Sequence, residues 1–213
     1  MDNYLNDVMK QKIERTIKGL EKNNMKGYYV EDINALHDLL KGLLEEGSTI
    51  GLGGSMTLFE TKTLEFIREG NYDLLDRYAK GLDAGAIKKI YRESFFADTY
   101  LMSTNAITEA GELYNVDGRG NRVAALIYGP DQVIIIAGVN KIVEDLDEAI
   151  RRNESIAAPA NTKRLGLNNP CKEVGYCVDC NSETRICNSY TVIKNSLEKD
   201  RIHVIFLNEN FGY

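Results

Sequence analysis

Between Asp2 and Asn23, apolar side chains recur at spacings of three and four: Leu5, Val8, Met9, Ile13, Ile17 and Leu20. That rhythm predicts an amphipathic helix. Gly27–Val30 is a short strand candidate. Asp32 is placed to cap a second helix running to about Glu46, with Ile33, Leu36, Leu39, Leu40, Leu43 and Leu44 on its buried face and Gly47 ending it. Thr49–Leu52 reads as a strand that leads into Gly53-Gly54-Ser55, followed by a helix from Thr57 to about Glu69. Tyr72–Leu75 (strand), Asp83–Glu93 (helix) and Asp98–Met102 (strand) continue the alternation. Helix and strand in strict succession predict an open α/β fold with parallel strands and helices on both faces.

The pattern then changes. Glu112–Val116 and Arg122–Ile127 flank Asp117-Gly-Arg-Gly-Asn121, and an Asp-Gly with a second Gly two residues on predicts an inserted β-hairpin. Gln132–Ala137 is the most apolar segment and is expected at the centre of the sheet. Helices are expected near Ile142–Arg152 and Ser155–Leu165, a short helix from about Ser189, and a closing strand at Arg201–Leu207. The 213 residues suffice for one domain with a substantial core.

All four cysteines fall between Cys171 and Cys187, spaced C-x5-C-x2-C-x6-C. Thiolates so close together are suited to one metal centre, tetrahedral zinc or an iron–sulfur cluster, with Cys171, Cys177, Cys180 and Cys187 as ligands. The alternatives are two disulfides or four reduced thiols. The charged, amphipathic start carries no apolar signal-peptide core, and no run approaches the roughly 18 apolar residues of a membrane span. The expected compartment is therefore the reducing cytoplasm, where such a cluster more often holds metal than disulfides. The x5 and x6 spacings match neither the common zinc-finger pattern nor the bacterial ferredoxin run.

With 26 basic and 32 acidic residues, the formal charge is −6 and the charges are interspersed. No basic tract or aromatic-basic stripe points to nucleic acid. Two histidines, His37 beside Leu36 and Leu39 and His203 in the last strand, read as packed or face-edge residues.

Four loops could carry chemistry. Gly51-Leu-Gly-Gly-Ser-Met-Thr57 is a glycine-serine turn between strand and helix, able to bring backbone N–H groups and the Ser55 and Thr57 hydroxyls to an anion. It lacks the Gly-Lys-Ser/Thr of a Walker loop and the third glycine of a dinucleotide fingerprint, and a plain capped turn is the alternative. Ser103–Glu109 follows a strand's carboxyl end, where ligands gather in open α/β sheets. Thr104, Asn105 and Thr108 offer hydrogen bonds, and Glu109 supplies a candidate acid or base. Arg119 and Arg122 in the Asp117–Arg122 stretch are candidate anion holders beside the plain reading of a hairpin tip. Ala137-Gly-Val-Asn-Lys141 ends another strand and offers the Lys141 cation, beside the plain reading of a turn with a solvated lysine.

In their order and joint presence these segments resemble the LUD (lactate-utilization) domain family. The resemblance rests on Gly51–Thr57, Ser103–Leu113, Asn115–Ala125 and Gly138–Val143, and Gly175–Asn188 is similar to the cysteine-bearing ending of one subgroup. It implies a single domain over residues 1–213 with a Cys-rich metal loop at about 171–188. The implied fold is like that of ribose-5-phosphate isomerase, glucosamine-6-phosphate deaminase and the CoA transferases: an open, mostly parallel sheet flanked by helices, with an inserted hairpin. Such folds place a pocket for small phosphorylated or carboxylated ligands over the strand ends. The matching positions are Gly53, Gly54, Ser55, Thr57, Asn105, Asn121, Arg122, Asn140 and Lys141.

Larger relatives belong to multi-subunit systems that oxidise lactate with iron–sulfur partners. The resemblance thus implies a cytoplasmic, metal- or iron–sulfur-containing accessory component of organic-acid oxidation. It would bind a small anionic ligand and redox partner subunits, with no nucleic acid or membrane partner and a homo-oligomer left open. A second reading is a stand-alone enzyme on a sugar phosphate or acyl-CoA, with Glu109 as its acid or base and the cysteines as a structural zinc clip. A third is a ligand-sensing or scaffold protein without turnover.

Overall fold

The computed structural model describes residues 3–213. Six parallel strands form the main sheet: β1 (Lys26–Val30), β2 (Thr49–Leu52), β3 (Asp73–Leu75), β4 (Thr99–Met102), β7 (Gln132–Gly138) and β10 (Ile202–Leu207), in the order β1-β10-β7-β4-β2-β3. The central strands β7 and β10 are apolar but for Gln132 and His203, because both their faces are covered. On β7, Val133, Ile135 and Ala137 join one hydrophobic cluster and Ile134 and Ile136 the other. Val204 and Phe206 alternate in the same way with Ile205 and Leu207 on β10.

Helix α1 (Asn3–Lys22) contributes Ile13 and Leu20 to the first layer, and α2 (Ile33–Leu43) contributes Leu36 and Leu40 to the second. The expected cap is present on α2, where Asp32 accepts from the Ala35 N–H at 2.8 Å, and α5 (Ala84–Glu93) is capped in the same way by Asp83, which accepts from Ala86. On α1 the buried stripe is shorter than its pattern, since Leu5 and Val8 are exposed.

A second sheet holds β5 (Ala106–Thr108), β6 (Leu113–Asp117), β8 (Ile142–Val143) and β9 (Ser189–Ile193), in the order β8-β5-β6-β9. The antiparallel hairpin is β5–β6, pairing Ala106 with Tyr114, so it lies one strand earlier than expected. Residues 122–127 are not its second arm; they belong to helix α6 (Asn121–Tyr128). The Asp117 carboxylate decides this. It accepts from the backbone N–H groups of Arg122 (3.0 Å) and Val123 (3.4 Å) and so caps a helix where the glycines suggested a turn between strands.

Three further elements differ from expectation. The helix over 57–69 is two, α3 (Met56–Glu60) and α4 (Thr63–Glu69), broken at Lys62, whose φ is 54°. The Thr61 hydroxyl bonds back to the Thr57 carbonyl and to Thr63, which draws the backbone out of register. Ile142–Val143 is strand, and α7 (Leu146–Arg152) starts only after Asp145, which accepts from Glu148. A π turn (Asn153–Ala157) joins α7 to α8 (Ala158–Arg164). Ser189 opens strand β9, paired antiparallel with β6, in place of a helix. Its Tyr190 and Val192 face solvent while alternate residues pack, the period of a half-covered edge strand.

Candidate functional site: a cationic cleft beside a cysteine loop

Strands β2, β4 and β7 are neighbours and parallel, so their carboxyl ends deliver three loops to one place: Gly53–Ser55, Ser103–Asn105 and Val139–Lys141. A cleft of about 770 Å³ opens there. Its walls include Gly54, Ser55 and Met56, the Asp117–Arg122 turn, Asn161 and Arg164 of α8, residues 183–186 of the cysteine loop, and Tyr213. Six lining side chains are cationic, Arg77, Arg119, Arg122, Lys141, Arg164 and Arg185, against the two acids Asp117 and Glu183. On a chain of net charge −6, that concentration of positive charge in a concave site favours an anion.

The cations play different parts. Arg122 is buried, and all five of its N–H groups donate within the protein. They reach Asp117 Oδ1 (3.0 Å), the Ser103 carbonyl (3.0 Å), Asn115 Oδ1, Asn105 Oδ1 (3.0 Å) and the Val116 carbonyl (3.0 Å). Arg122 thus staples the Ser103–Asn105 loop to the end of β6 from beneath and keeps no N–H free for a ligand. Gly53 makes this possible: a Cβ there would stand 2.9 Å from Met102 Cβ and 3.3 Å from Arg122 Cδ. A Cβ on Gly54 would meet Arg77 Nη1 at 3.3 Å. Arg77 itself lies over the Tyr91 ring, 4.5 Å from its centroid.

Lys141 is buried at the cleft floor, with Nζ 3.1 Å from Ser103 Oγ, 3.0 Å from the Thr104 carbonyl and 3.3 Å from the Tyr213 main-chain oxygen. Among the described residues no Asp or Glu side chain pairs with it. Burial, then the charges of Arg152 and Arg122, push its pKa down to about 7, with Glu60 opposing. The tail that supplies Tyr213 is itself pinned: Asn140 donates to Gly212 O and accepts from Phe211 N–H, and Glu60 accepts from Gly212 N–H at 2.6 Å. The Tyr213 hydroxyl is buried beside Arg164; burial raises its pKa and Arg164 opposes the rise.

Of the residues expected to bind ligand, Gly54, Ser55, Asn105, Asn121, Arg122 and Lys141 line the cleft. Gly53, Thr57 and Asn140 support it from behind; the fully buried Thr57 hydroxyl donates to Phe211 O at 3.3 Å. Glu109 is not brought there. It sits in the β5–β6 turn, and its carboxylate pairs with Arg15 of α1 at 2.7 Å.

The four cysteines line one small cavity of about 20 Å³, with Thr162, Asn169, Arg185 and Ile186 among its other walls. All four are free thiols. The Asp179 N–H points at Cys177 Sγ, 3.4 Å away, and burial, with the neighbouring cysteines next, raises the Cys187 thiol to about 11. The four thiols share this cavity, but among the described residues no group of three His, Cys, Asp or Glu side chains stands in an arrangement that could hold a metal ion. Arg185 belongs to both sites: it donates to the carbonyls of Cys180 and Cys187 and also lines the cleft.

The LUD domain model matches residues 13–207. The chain belongs to the LUD-domain family. A DUF162 family protein from Deinococcus radiodurans, solved as a crystal structure, is similar over 95% of this chain and 97% of that one, with a TM-score of 0.51 and 15% identity. At that identity the likeness carries the fold alone. The β subunit of eIF2B from Chaetomium thermophilum aligns over 55% of this chain and 41% of that one, at 14% identity and a TM-score of 0.37, too low to argue from. No curated protein matches the chain in sequence. No helix among the described residues is long and apolar enough to cross a membrane.

In this LUD domain the arginines that complete the cleft come from outside the four motif loops. Arg164 sits in the last turn of α8, where a cation reads as an ordinary complement to the helix dipole. Arg77 lies between β3 and α5 with no motif around it. Only Arg185 had a signal, its place among the cysteines.

Proposed function

We propose that this LUD-domain protein binds a small, multiply charged carboxylate or phosphate in the cationic cleft, as a cytoplasmic accessory component of lactate or other organic-acid oxidation. The carrying observation is the five arginines that line the cleft at the β2, β4 and β7 loop ends, with Lys141 at its floor. The expected result of thermal-shift screening with hydroxy acids, sugar phosphates and CoA esters is stabilisation by at least one anionic class and none by neutral analogues. Equal indifference to all of them would end the proposal.

The second part of the proposal is a metal ion held by Cys171, Cys177, Cys180 and Cys187. It is supported by four free thiols on one cavity. A cavity of about 20 Å³ is little more than the ~10–15 Å³ that one water needs, which suits a single ion better than a cluster. Bound zinc would tie the loop that carries Arg185; bound iron–sulfur would offer electrons to redox partner subunits. Anaerobic purification with zinc, iron and acid-labile sulfide analysis separates the two. Cys180→Ser is expected to lose the metal, and full metal content in that variant would refute the ligand set.

The second reading, a stand-alone enzyme on a sugar phosphate or acyl-CoA, is favoured by one observation: a buried amine 3.1 Å from a serine hydroxyl inside the cleft. It draws no support from Glu109, which faces Arg15.

A further inference from the structure

Lys141 and Ser103 form a hydrogen-bonded pair in the cleft. The Lys141 nitrogen has three polar neighbours: the Thr104 carbonyl (3.0 Å), the Tyr213 main-chain oxygen (3.3 Å) and Ser103 Oγ (3.1 Å). The first two only accept. A neutral amine has two N–H donors and one lone pair. Two donors meet the two main-chain oxygens, and the lone pair is left for the one neighbour that can donate, the Ser103 hydroxyl. An ammonium would satisfy the same contacts by donating to all three, but at 2% exposure and with no Asp or Glu side chain paired to it among the described residues, burial disfavours the charged form. The groups facing the amine are the cations Arg122 and Arg152, which also oppose its charge, and the single acid Glu60, already engaged by Gly212 N–H.

We propose that Ser103 is a nucleophile and Lys141 its general base, acting on the acyl carbon of an ester or thioester whose anionic portion lies among the cleft arginines. Both residues line the cleft, and a nucleophile and base at hydrogen-bond distance are the minimum for this chemistry. As the Ser103 Oγ–C bond forms, the hydroxyl proton moves to Lys141 Nζ. The tetrahedral carbon then expels the thiolate or alkoxide, which leaves with that proton as thiol or alcohol. Water attacks the acyl-serine, Lys141 takes the water's proton and returns it to Ser103 Oγ, and a carboxylic acid is released. The nature of the anionic portion rests on the cleft's proposed anion binding; the serine–lysine step stands on its own geometry.

The test uses the full chain and a small alkyl fluorophosphonate, with the adduct located by peptide mass mapping. One adduct is expected, on Ser103, absent from Ser103→Ala. Lys141→Met is expected to react on the order of 100-fold more slowly. Should that variant fail to fold, the unsubstituted protein still decides the matter: its labelling rate should rise with pH through about 7, where Lys141 loses its proton. An adduct on Ser55, Thr57 or a cysteine in place of Ser103, a rate unaffected by Lys141→Met, or a flat pH profile overturns the pair. Anion stabilisation without any Ser103 adduct also overturns it while leaving the cleft reading intact. Ser103 labelling that proceeds without anion stabilisation, and that no anion slows, removes the anionic portion from the proposed substrate and keeps the pair.

Discussion

Arg122 and Arg15 each pair with a carboxylate, and the two pairs do opposite work. The Arg122–Asp117 pair is about nine-tenths buried and ties the Ser103–Asn105 loop to the end of β6, whereas the Arg15 side chain of the Arg15–Glu109 pair is 55% exposed. Removing one partner of a buried pair leaves an uncompensated charge and costs about 3–5 kcal/mol; an exposed pair contributes ~0–1 kcal/mol. Arg122→Met is therefore expected to lower unfolding free energy in urea severalfold more than Arg15→Ala, and equal effects would contradict the stapling role. Lys141 carries a pH signature. Its folded-state pKa of about 7 lies below the ordinary 10.5, so between those values the unfolded chain binds more protons and stability rises with pH. The stability curve of the native protein should climb more steeply from pH 7 to 10 than that of Lys141→Met; parallel curves would mean that the amine is not desolvated. At this scale the sequence showed which loops mattered but not what each residue does there. Glycine and serine at a strand end, and Asn-Lys at another, mark close approach to something. That Asn140 holds the chain's own tail depends on contacts 71 and 72 residues away, and that Arg122 spends its donors on Ser103, Asn105 and the end of β6 depends on how those segments fold together; no local pattern encodes either.

Among the elements, the parallel sheet and the helices of both layers were legible because burial on two faces writes long apolar runs, and Asp32 and Asp83 are unambiguous caps. The Asp117–Asn121 turn misled because Asp-Gly serves equally to close a hairpin and to cap a helix; only the Asp117 carboxylate's tertiary role separates them. Ser189–Ile193 alternates with period two but is flanked by a loop whose order comes from cysteines and Asn169, so the strand shows only once β6 is beside it. The β5–β6 turn is anchored by an intimate backbone contact: a Cβ on Gly19 of α1 would lie 2.6 Å from the Glu109 carbonyl oxygen, and one on Gly111, whose φ is 84°, would lie 2.4 Å from Gly19 C. Gly42, by contrast, has nothing within 4 Å. Gly42→Ala in α2 should stabilise by roughly 0.4–1 kcal/mol, while Gly19→Ala should destabilise by at least ~1–3 kcal/mol through the forced shift. Opposite signs in thermal or urea unfolding are the expected outcome; a harmless Gly19→Ala would show that α1 and the hairpin are not in tight contact.

For the whole molecule, the decisive contrast is between an acidic surface and a cationic hollow. A net charge of −6 repels anions at long range, so the proposed anion would have to be held at short range, by direct contact with guanidinium groups. Arg77 and Arg164 line it without the fivefold internal bonding of Arg122. Each charge-assisted hydrogen bond contributes about 1.5–3 kcal/mol, roughly a 10- to 100-fold change in affinity. The measurement that bears most directly on this account is a calorimetric titration of inorganic pyrophosphate into the native protein and into Arg77→Ala and Arg164→Ala at low and physiological salt. The account predicts saturable binding of one pyrophosphate per chain, weaker in salt and at least about 10-fold weaker in each variant. Binding that is absent from the native protein, or unchanged when both arginines are removed, would contradict it.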